Sequence, residues 1–307
     1  MSLVVFELVL FTILTAATPL VIAAIGELVS ERAGVLNLGV EGMMIAGAAC
    51  AFATAILTGS TTLGILGGVG AGMALSAIFG FLVLFLAANQ VASGLALTIL
   101  GTGLAGLIGS GFIGLQREAA VHLNIPLLSD LPILGKLLYG HDLFVYTGWV
   151  LVAWATWFLA HTRAGLVLRA VGEDHASAHA LGLPVRRVRF LAILFGGACA
   201  GFAGAYLSLS YTPFWAPGMT AGRGWIALAL VVFASWRPVY AFVGALLFGG
   251  ATVLQLHAQA AGLGIPGQLL TALPYLATIL AMVVLSLRRR RSSLAPASLG
   301  LSFMPER

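Results

Sequence analysis

His175 and His179 stand four residues apart with Glu173 just before them, the spacing in this chain that most suggests a metal site. A helix places positions i and i+4 on one face, so both imidazoles could reach one ion. The zinc-protease pattern H-E-x-x-H is absent and no third ligand stands nearby, so a solvated loop helix is the simpler account and no metal is expected. Other chemistry is equally hard to find. There is no G-x-x-x-x-G-K-[ST] phosphate loop, no G-x-S-x-G elbow and no acidic calcium loop, and Lys136 is the only lysine. Catalysis has no visible constellation and no cofactor is expected. Any nucleotide that drives this protein must be bound by another polypeptide.

The remaining chemistry lies in polar residues set among apolar ones. The stretch GELVSERAGVLNLGVEGMM, Gly26–Met44, brings Glu27, Glu31, Arg32, Asn37 and Glu41 together between two long apolar runs. A charge at the centre of a membrane helix costs about 2.5–3.5 kcal/mol on insertion scales unless it is paired or hydrated. These groups therefore need partners. Arg32 can neutralise Glu31 or Glu27, and Asn37 can bond exposed backbone. Glu41 is surrounded by an apolar helix on its C-terminal side. We expect Arg32–Glu41 to turn the chain at a discontinuous helix, with Glu41 facing protein or water; a structural salt-bridged turn is the competing account. Asn89, Gln90 and Ser93 open another span, where Asn89 suits a helix cap.

The elements that must carry these residues follow from composition. Of 307 residues, 60% are hydrophobic and 8% charged, and the mean hydropathy is +1.06. Soluble domains carry about 25% charged residues, so this is an integral membrane protein. Apolar runs at Leu3–Ala24, Leu36–Leu57, Leu63–Ala88, Val91–Ile113, Leu143–Ala160, Phe190–Ser210, Tyr240–Leu256 and Leu269–Leu287 approach the ~20 residues a spanning helix needs. Ile226–Ala234, ended by Trp236-Arg237-Pro238, is a ninth, incomplete crossing. The runs are continuous rather than alternating, which excludes a membrane barrel. The fold class is all-α: a polytopic transmembrane helical bundle.

The first run lacks a basic leader region and is expected to be a retained span. Cys50 and Cys199 lie within apolar runs and are expected as small core residues, not a disulfide. The sequence pI near 9.7 reflects arginines at helix ends and does not imply nucleic acid. Basic residues cluster at His161–Arg189 and Arg288–Arg291, which places both in the cytoplasm. Alternation then puts Gly26–Ala33, Asn89-Gln90 and Arg237 on that side, and Gly114–His141 and Thr212–Arg223 outside. Residues 1–291 are expected to form a single transmembrane domain with a cytoplasmic loop at 161–189, followed by a flexible tail at 292–307. Gly68/Gly72 and Gly197/Gly201 have the spacing of close helix packing. In the loop, Glu173–Leu181 can form two to three helical turns, with Gly172 before and Gly182 after, a docking knob for a cytosolic partner.

Several separated motifs resemble one family. RAGVLNLGVEGMM at Arg32–Met44, NQVASGLALTILG at Asn89–Gly101, GMTAGRGWIALALVVFASWRP at Gly218–Pro238 and GIPGQLLTALPYLATIL at Gly264–Leu280 are similar to permeases of ABC importers in the branched-chain amino acid, ribose and nucleoside group. The shorter permease of nucleoside importers is the nearest likeness, with simple-sugar permeases a near neighbour. The resemblance implies about ten spans, some of them broken. It also implies cytoplasmic ATP-binding subunits, a second permease in a heterodimer, and an extracytoplasmic binding protein or lipoprotein, all in a bacterial or archaeal cytoplasmic (inner) membrane. The knob resembles that family's coupling helix, so Gly172, Glu173, Asp174, His175, Ala178, Leu181 and Gly182 would enter a groove on the ATPase. Asn37, Glu41, Asn89, Gln90 and Ser93 are the candidate path residues. Phe214, Trp215 and Arg223 are candidates for meeting the docked binding protein. The cargo would be a small polar solute, with nucleosides ahead of simple sugars and branched-chain amino acids. The competing function is an ion-gradient-driven secondary transporter with Glu41 as its proton site.

Overall fold

The computed structural model describes residues 3–120, 140–260 and 295–304, together with isolated helical positions between 269 and 283. The expected last span Leu269–Leu287, most of the motif at Gly264–Leu280 and the basic cluster Arg288–Arg291 otherwise lie outside the described residues. The described chain is a helical bundle: α1 (Leu3–Arg32), α2 (Val40–Thr58), α3 (Thr61–Leu84), α4 (Gln90–Gly109), α5 (Leu143–His161), α6 (Arg163–Glu173), α7 (His175–Ala180), α8 (Val185–Tyr206), α9 (Arg223–Phe233) and α10 (Pro238–Ala260). Seven of these, α1 to α5 with α8 and α10, are long and apolar enough to cross a membrane.

The central helix is α1, which packs against α5, α8, α9 and α10. Its 30 residues reach about 45 Å. Pro19 lies inside it and has no N–H to offer the carbonyl of Thr15. That carbonyl instead accepts the Tyr206 hydroxyl at 3.0 Å, so a break in the helix becomes a tie to α8.

Glycine sets how closely α2, α3 and α8 approach. A Cβ on Gly72 would lie 2.1 Å from the Gly197 carbonyl oxygen, one on Gly201 2.2 Å from that of Gly68, and one on Gly47 2.6 Å from the Gly201 Cα. Small residues let backbones touch where lipid provides no hydrophobic drive between helices. The expected Gly68/Gly72 and Gly197/Gly201 pairs therefore face each other. Neither cysteine forms a disulfide.

Two traverses are not continuous helix. Residues 33–39 leave α1 and climb back into the bundle: the Leu36 N–H donates to Gln90 Oε1 at 2.8 Å and the Thr98 hydroxyl to the Leu38 carbonyl at 3.0 Å. Thr98 lies about 12 Å along α4 from Gln90, so α2 begins inside the bundle. On the other side, α8 ends in a π-helical turn, Leu207–Tyr211. Residues 212–222 descend to meet α2, and α9 completes that traverse. With 11 residues it covers about 16 Å, half of a ~30 Å hydrocarbon core, so the expected ninth crossing is helical only in its second half.

The described stretches expected on the cytoplasmic side, Gly26–Ala33, Asn89-Gln90, His161–Arg189 and Arg237, meet at one end of the bundle, termed here the basic end. The tail, expected to be flexible, belongs there too: residues 295–304 lie against the bundle. Gly300 N donates to the Gly34 carbonyl, Leu301 O accepts from Gln90 Nε2 and Arg189 Nη1, and Phe303 is buried against Val171, Ala178 and Val185.

Candidate functional site

Glu41 sits where the two broken traverses meet. It is 7% exposed. Its Oε1 accepts the Thr220 hydroxyl at 2.5 Å and the Gly222 N–H at 2.9 Å; its Oε2 accepts the Gly224 N–H at 2.7 Å. Gly222 is the N-cap of α9, with φ +78° and no side chain to cap it. The first N–H groups of a helix lack internal partners and carry partial positive charge. Glu41 supplies the anionic acceptor from another segment, so one carboxylate joins the start of α2 to the start of α9. The approach is close: a Cβ on Gly224 would lie 2.6 Å from the Glu41 backbone.

Asn37 works on the same junction. Its Oδ1 accepts the Gly39 N–H at 2.9 Å, an Asx turn into α2, and its own N–H donates to Glu27 Oε1 at 3.1 Å. One helical turn on, Glu31 Oε2 accepts the Trp236 indole N–H at 2.5 Å, while Arg32 Nε and Nη2 donate to the Trp236 carbonyl at 3.1 and 3.0 Å. Ser235 and Trp236 both have left-handed backbone, φ 56° and 57°, a strained state for side chains of this size. Adjacent residues of α1 hold that turn in place. The expected partner for Arg32 is thus corrected: its guanidinium bonds a carbonyl, not Glu27 or Glu31.

At the basic end, α6 and α7 form the knob. Asp174 caps α7, its Oδ1 accepting from Ala176 N at 3.0 Å and Ser177 N at 3.1 Å. Hydrogen bonding to Ser177, chiefly from its hydroxyl, holds the Asp174 carboxyl below the usual range. Gly182, φ +80°, closes α7 with its N–H on the His179 carbonyl. The helix expected over Glu173–Leu181 is shorter, and Gly172 lies inside α6 rather than ahead of α7. The cause is contact: a Cβ on Gly172 would lie 2.1 Å from the Arg32 carbonyl oxygen, so α6 abuts the end of α1. Leu181 is 81% exposed, an apolar tip presented to solvent. His175 Nδ1 lies 3.3 Å from Arg189 Nη2, and its ring and that of His179 both pack edge-on to Phe303. Among the described residues no group of three or more His, Cys, Asp or Glu could hold a metal.

The other candidates divide. Gln90 is buried, its amide bridging Leu36 N and Leu301 O. Asn89 caps α4 through the Ala92 N–H, and Ser93 is half-buried one turn on; these three lie at the basic end, away from Glu41. Phe214 is exposed, whereas Trp215 is 2% exposed and packs on Gly109, which corrects its placement on a docking surface. Arg223 donates to the Met219 carbonyl and lies over the Tyr211 ring. An apolar cavity of about 310 Å3 bordered by Val29, Trp154, Phe158, Leu168 and Phe195 contains none of the candidate path residues.

Sequence reasoning passed over Thr220, Trp236, Arg189 and Phe303. Arg189 counted only as a basic loop residue, yet it is fully buried and donates to the Ala33 carbonyl. Its place one residue before the run Phe190–Ser210 was the available signal.

An α-helical bundle with two broken traverses locked at its centre and a short exposed helix at its basic end is the construction of a multi-pass membrane transport subunit. Residues 9–291 match the family described as the branched-chain amino acid transport system / permease component, and the chain belongs to that family of ABC transporter permeases. It is 42% identical to the putative glucose ABC transporter permease protein TsgC13 of Haloferax volcanii, with 95% of each chain covered. It is 31% identical to the nucleoside ABC transporter permease protein NupC of Lactococcus lactis, with 97% of each covered. It is also 31% identical to the guanosine ABC transporter permease protein NupQ of Bacillus subtilis, covering 88% of this chain and 89% of that one. No solved structure matches the chain. The family implies ATP-binding subunits and a substrate-binding protein as partners, and the chain is a transport component, not an enzyme.

Proposed function

We propose that this chain forms half of the translocation path of an ATP-driven importer in a bacterial or archaeal cytoplasmic membrane, paired with a second, different permease. Nucleosides are the first cargo reading, supported by the names of two relatives. Glucose is a second, favoured by the name of the 42% identical relative; both solutes are neutral and carry a hydroxylated ring. The path follows the central discontinuity, where Asn37 and Glu41 fix backbone that borders it. Asn89, Gln90 and Ser93 border its basic, cytoplasmic end. Phe214 and Arg223 face the binding protein.

The observation that carries this reading is the contact of Gly172 with the Arg32 carbonyl. The segment Gly172–Gly182 acts as the coupling helix, with the exposed Leu181 entering the ATP-binding subunit. Displacement of α6 then bears directly on the end of α1. From there the load reaches the α9–α10 turn through Glu31 and Arg32, and the start of α2 through Glu27 and Asn37. Packed elements with two discrete arrangements convert such a displacement into rigid-body rotation. The deciding experiment is uptake of labelled guanosine and of labelled glucose into cells carrying the whole transporter. Uptake should require ATP and survive collapse of ion gradients. Uptake driven by a gradient without hydrolysis would sink the proposal, and the preferred solute decides between the two cargoes.

A further inference from the structure

The knob is a poor candidate for holding its own position. Helix α7 has six residues, of which only Ala178 is buried, and isolated helices this short do not persist in water. Beside its own caps and the packing of Ala178 on Val171 and Val185, it is held by the C-terminal segment 295–304. Ser298 N donates to the Gly172 carbonyl at 2.9 Å, and Ser298 Oγ accepts the His175 N–H at 3.2 Å and donates to the Glu173 carbonyl at 3.3 Å. These are groups at the α6–α7 junction, where one helix has ended and the next has just begun. Phe303, 6% exposed, lies under α7 with its ring centroid 5.4 Å from that of His175 and 5.3 Å from that of His179.

The same ten residues grip the bundle from their other side. Gly300 N bonds the Gly34 carbonyl, and Leu301 O takes Arg189 Nη1 at 3.0 Å and Gln90 Nε2 at 3.3 Å. The segment thus joins α7 to the end of α1, the start of α4 and α8. We propose that residues 295–304 are a strap that sets the coupling helix against the bundle, with Ser298 and Phe303 as positioning residues for ATP-driven coupling. This rests on the coupling role given to Gly172–Gly182 above. Displacement of α7 then reaches Gln90 and α4 through the strap, a second route beside the Gly172–Arg32 contact.

The test uses the full-length chain in lipid nanodiscs, alone and with its cytoplasmic ATP-binding subunits, as Phe303→Ala, Ser298→Ala and the conservative Phe303→Leu. In Phe303→Ala, amides of 175–182 should exchange about tenfold faster while those of α1 to α4 keep wild-type protection. Affinity for the ATP-binding subunits should fall about tenfold, and ATP hydrolysis in the complex should drop in kcat with KM for ATP unchanged. Phe303→Leu should restore these values to within about twofold, because a leucine keeps most of the buried contact. Should Phe303→Ala also loosen α1 to α4, Ser298→Ala and Phe303→Leu decide the matter. Wild-type exchange over 175–182 in both Phe303→Ala and Ser298→Ala overturns the strap. Faster exchange with unchanged subunit affinity and hydrolysis leaves the strap standing as an anchor and overturns the coupling role of α7.

Discussion

Glu41 shows why a carboxylate belongs inside this bundle. Both its oxygens are taken, by Thr220, Gly222 and Gly224, and two of the donors are backbone N–H groups at the start of α9. Replacing it with Gln keeps the shape but removes the charge and turns an NH2 group toward an N–H. Hydrogen bonds to charged groups are worth roughly 1.5–3 kcal/mol, so Glu41→Gln should lower the thermal midpoint of the purified protein clearly, and Glu41→Ala more. A Glu41→Gln protein with wild-type melting temperature and wild-type uptake would leave neither a lock nor a path role for this residue. His175 gives a pH prediction. Burial first, then the neighbouring Arg189 guanidinium, holds its pKa below the usual 6.5, with Asp174 opposing. The unfolded chain binds the proton more readily, so the α7 junction is most stable above pH 6.5 and weakens as pH falls toward the lowered folded value. Amide exchange over 175–182, corrected for intrinsic rate, should be faster at pH 5.5 than at 7.5. His175→Gln should flatten that difference.

Helix packing makes its own prediction from two glycines of α3. Gly72 faces α8 with no room for a methyl group, whereas a Cβ on Gly70 would meet nothing within 4 Å. Gly72→Ala must push α3 from α8 or distort both backbones, and overpacking costs about 1–3 kcal/mol or more. Gly70→Ala should be neutral or slightly stabilising, since alanine exceeds glycine in helix propensity by about 1 kcal/mol. Yield of monodisperse protein and its melting temperature should separate the two variants. The half-length α9 follows similar logic. Its residues are apolar enough for a span but too few, and the turn at Ser235-Trp236 ends it where Glu31 and Arg32 can hold it.

Across the whole molecule, the two ends carry different work. The basic end gathers α6, α7, the strap and the start of α4; the far end carries Phe214 on the loop after α8. Phe214→Ala should reduce uptake in the complete importer while leaving ATP-binding subunits attached, as read by co-purification. Loss of subunits from this variant would remove Phe214 from the docking surface. Trp215→Ala is expected to behave differently, lowering stability by about 3–5 kcal/mol, because it empties a buried site against Gly109.

Composition alone required a membrane-embedded protein, because 8% charge cannot cover a water-facing surface, and the unbroken apolar runs made it helical. Local pattern reached nearly as far: apolar runs marked the long helices, and glycine spacing marked α3 and α8 as closely packed helices without naming them as partners. The polar stretch Gly26–Met44 announced a break in the helices, since charges in apolar surroundings need partners. The partners themselves were beyond the sequence. Glu41 bonds residues some 180 positions away, Arg32 bonds a carbonyl 204 positions on, and the tail folds back onto His175. Nothing local distinguishes a strap from a loose end. Only the packing of distant segments settles which buried donor meets which acceptor, because each such group must be satisfied somewhere and several could satisfy it.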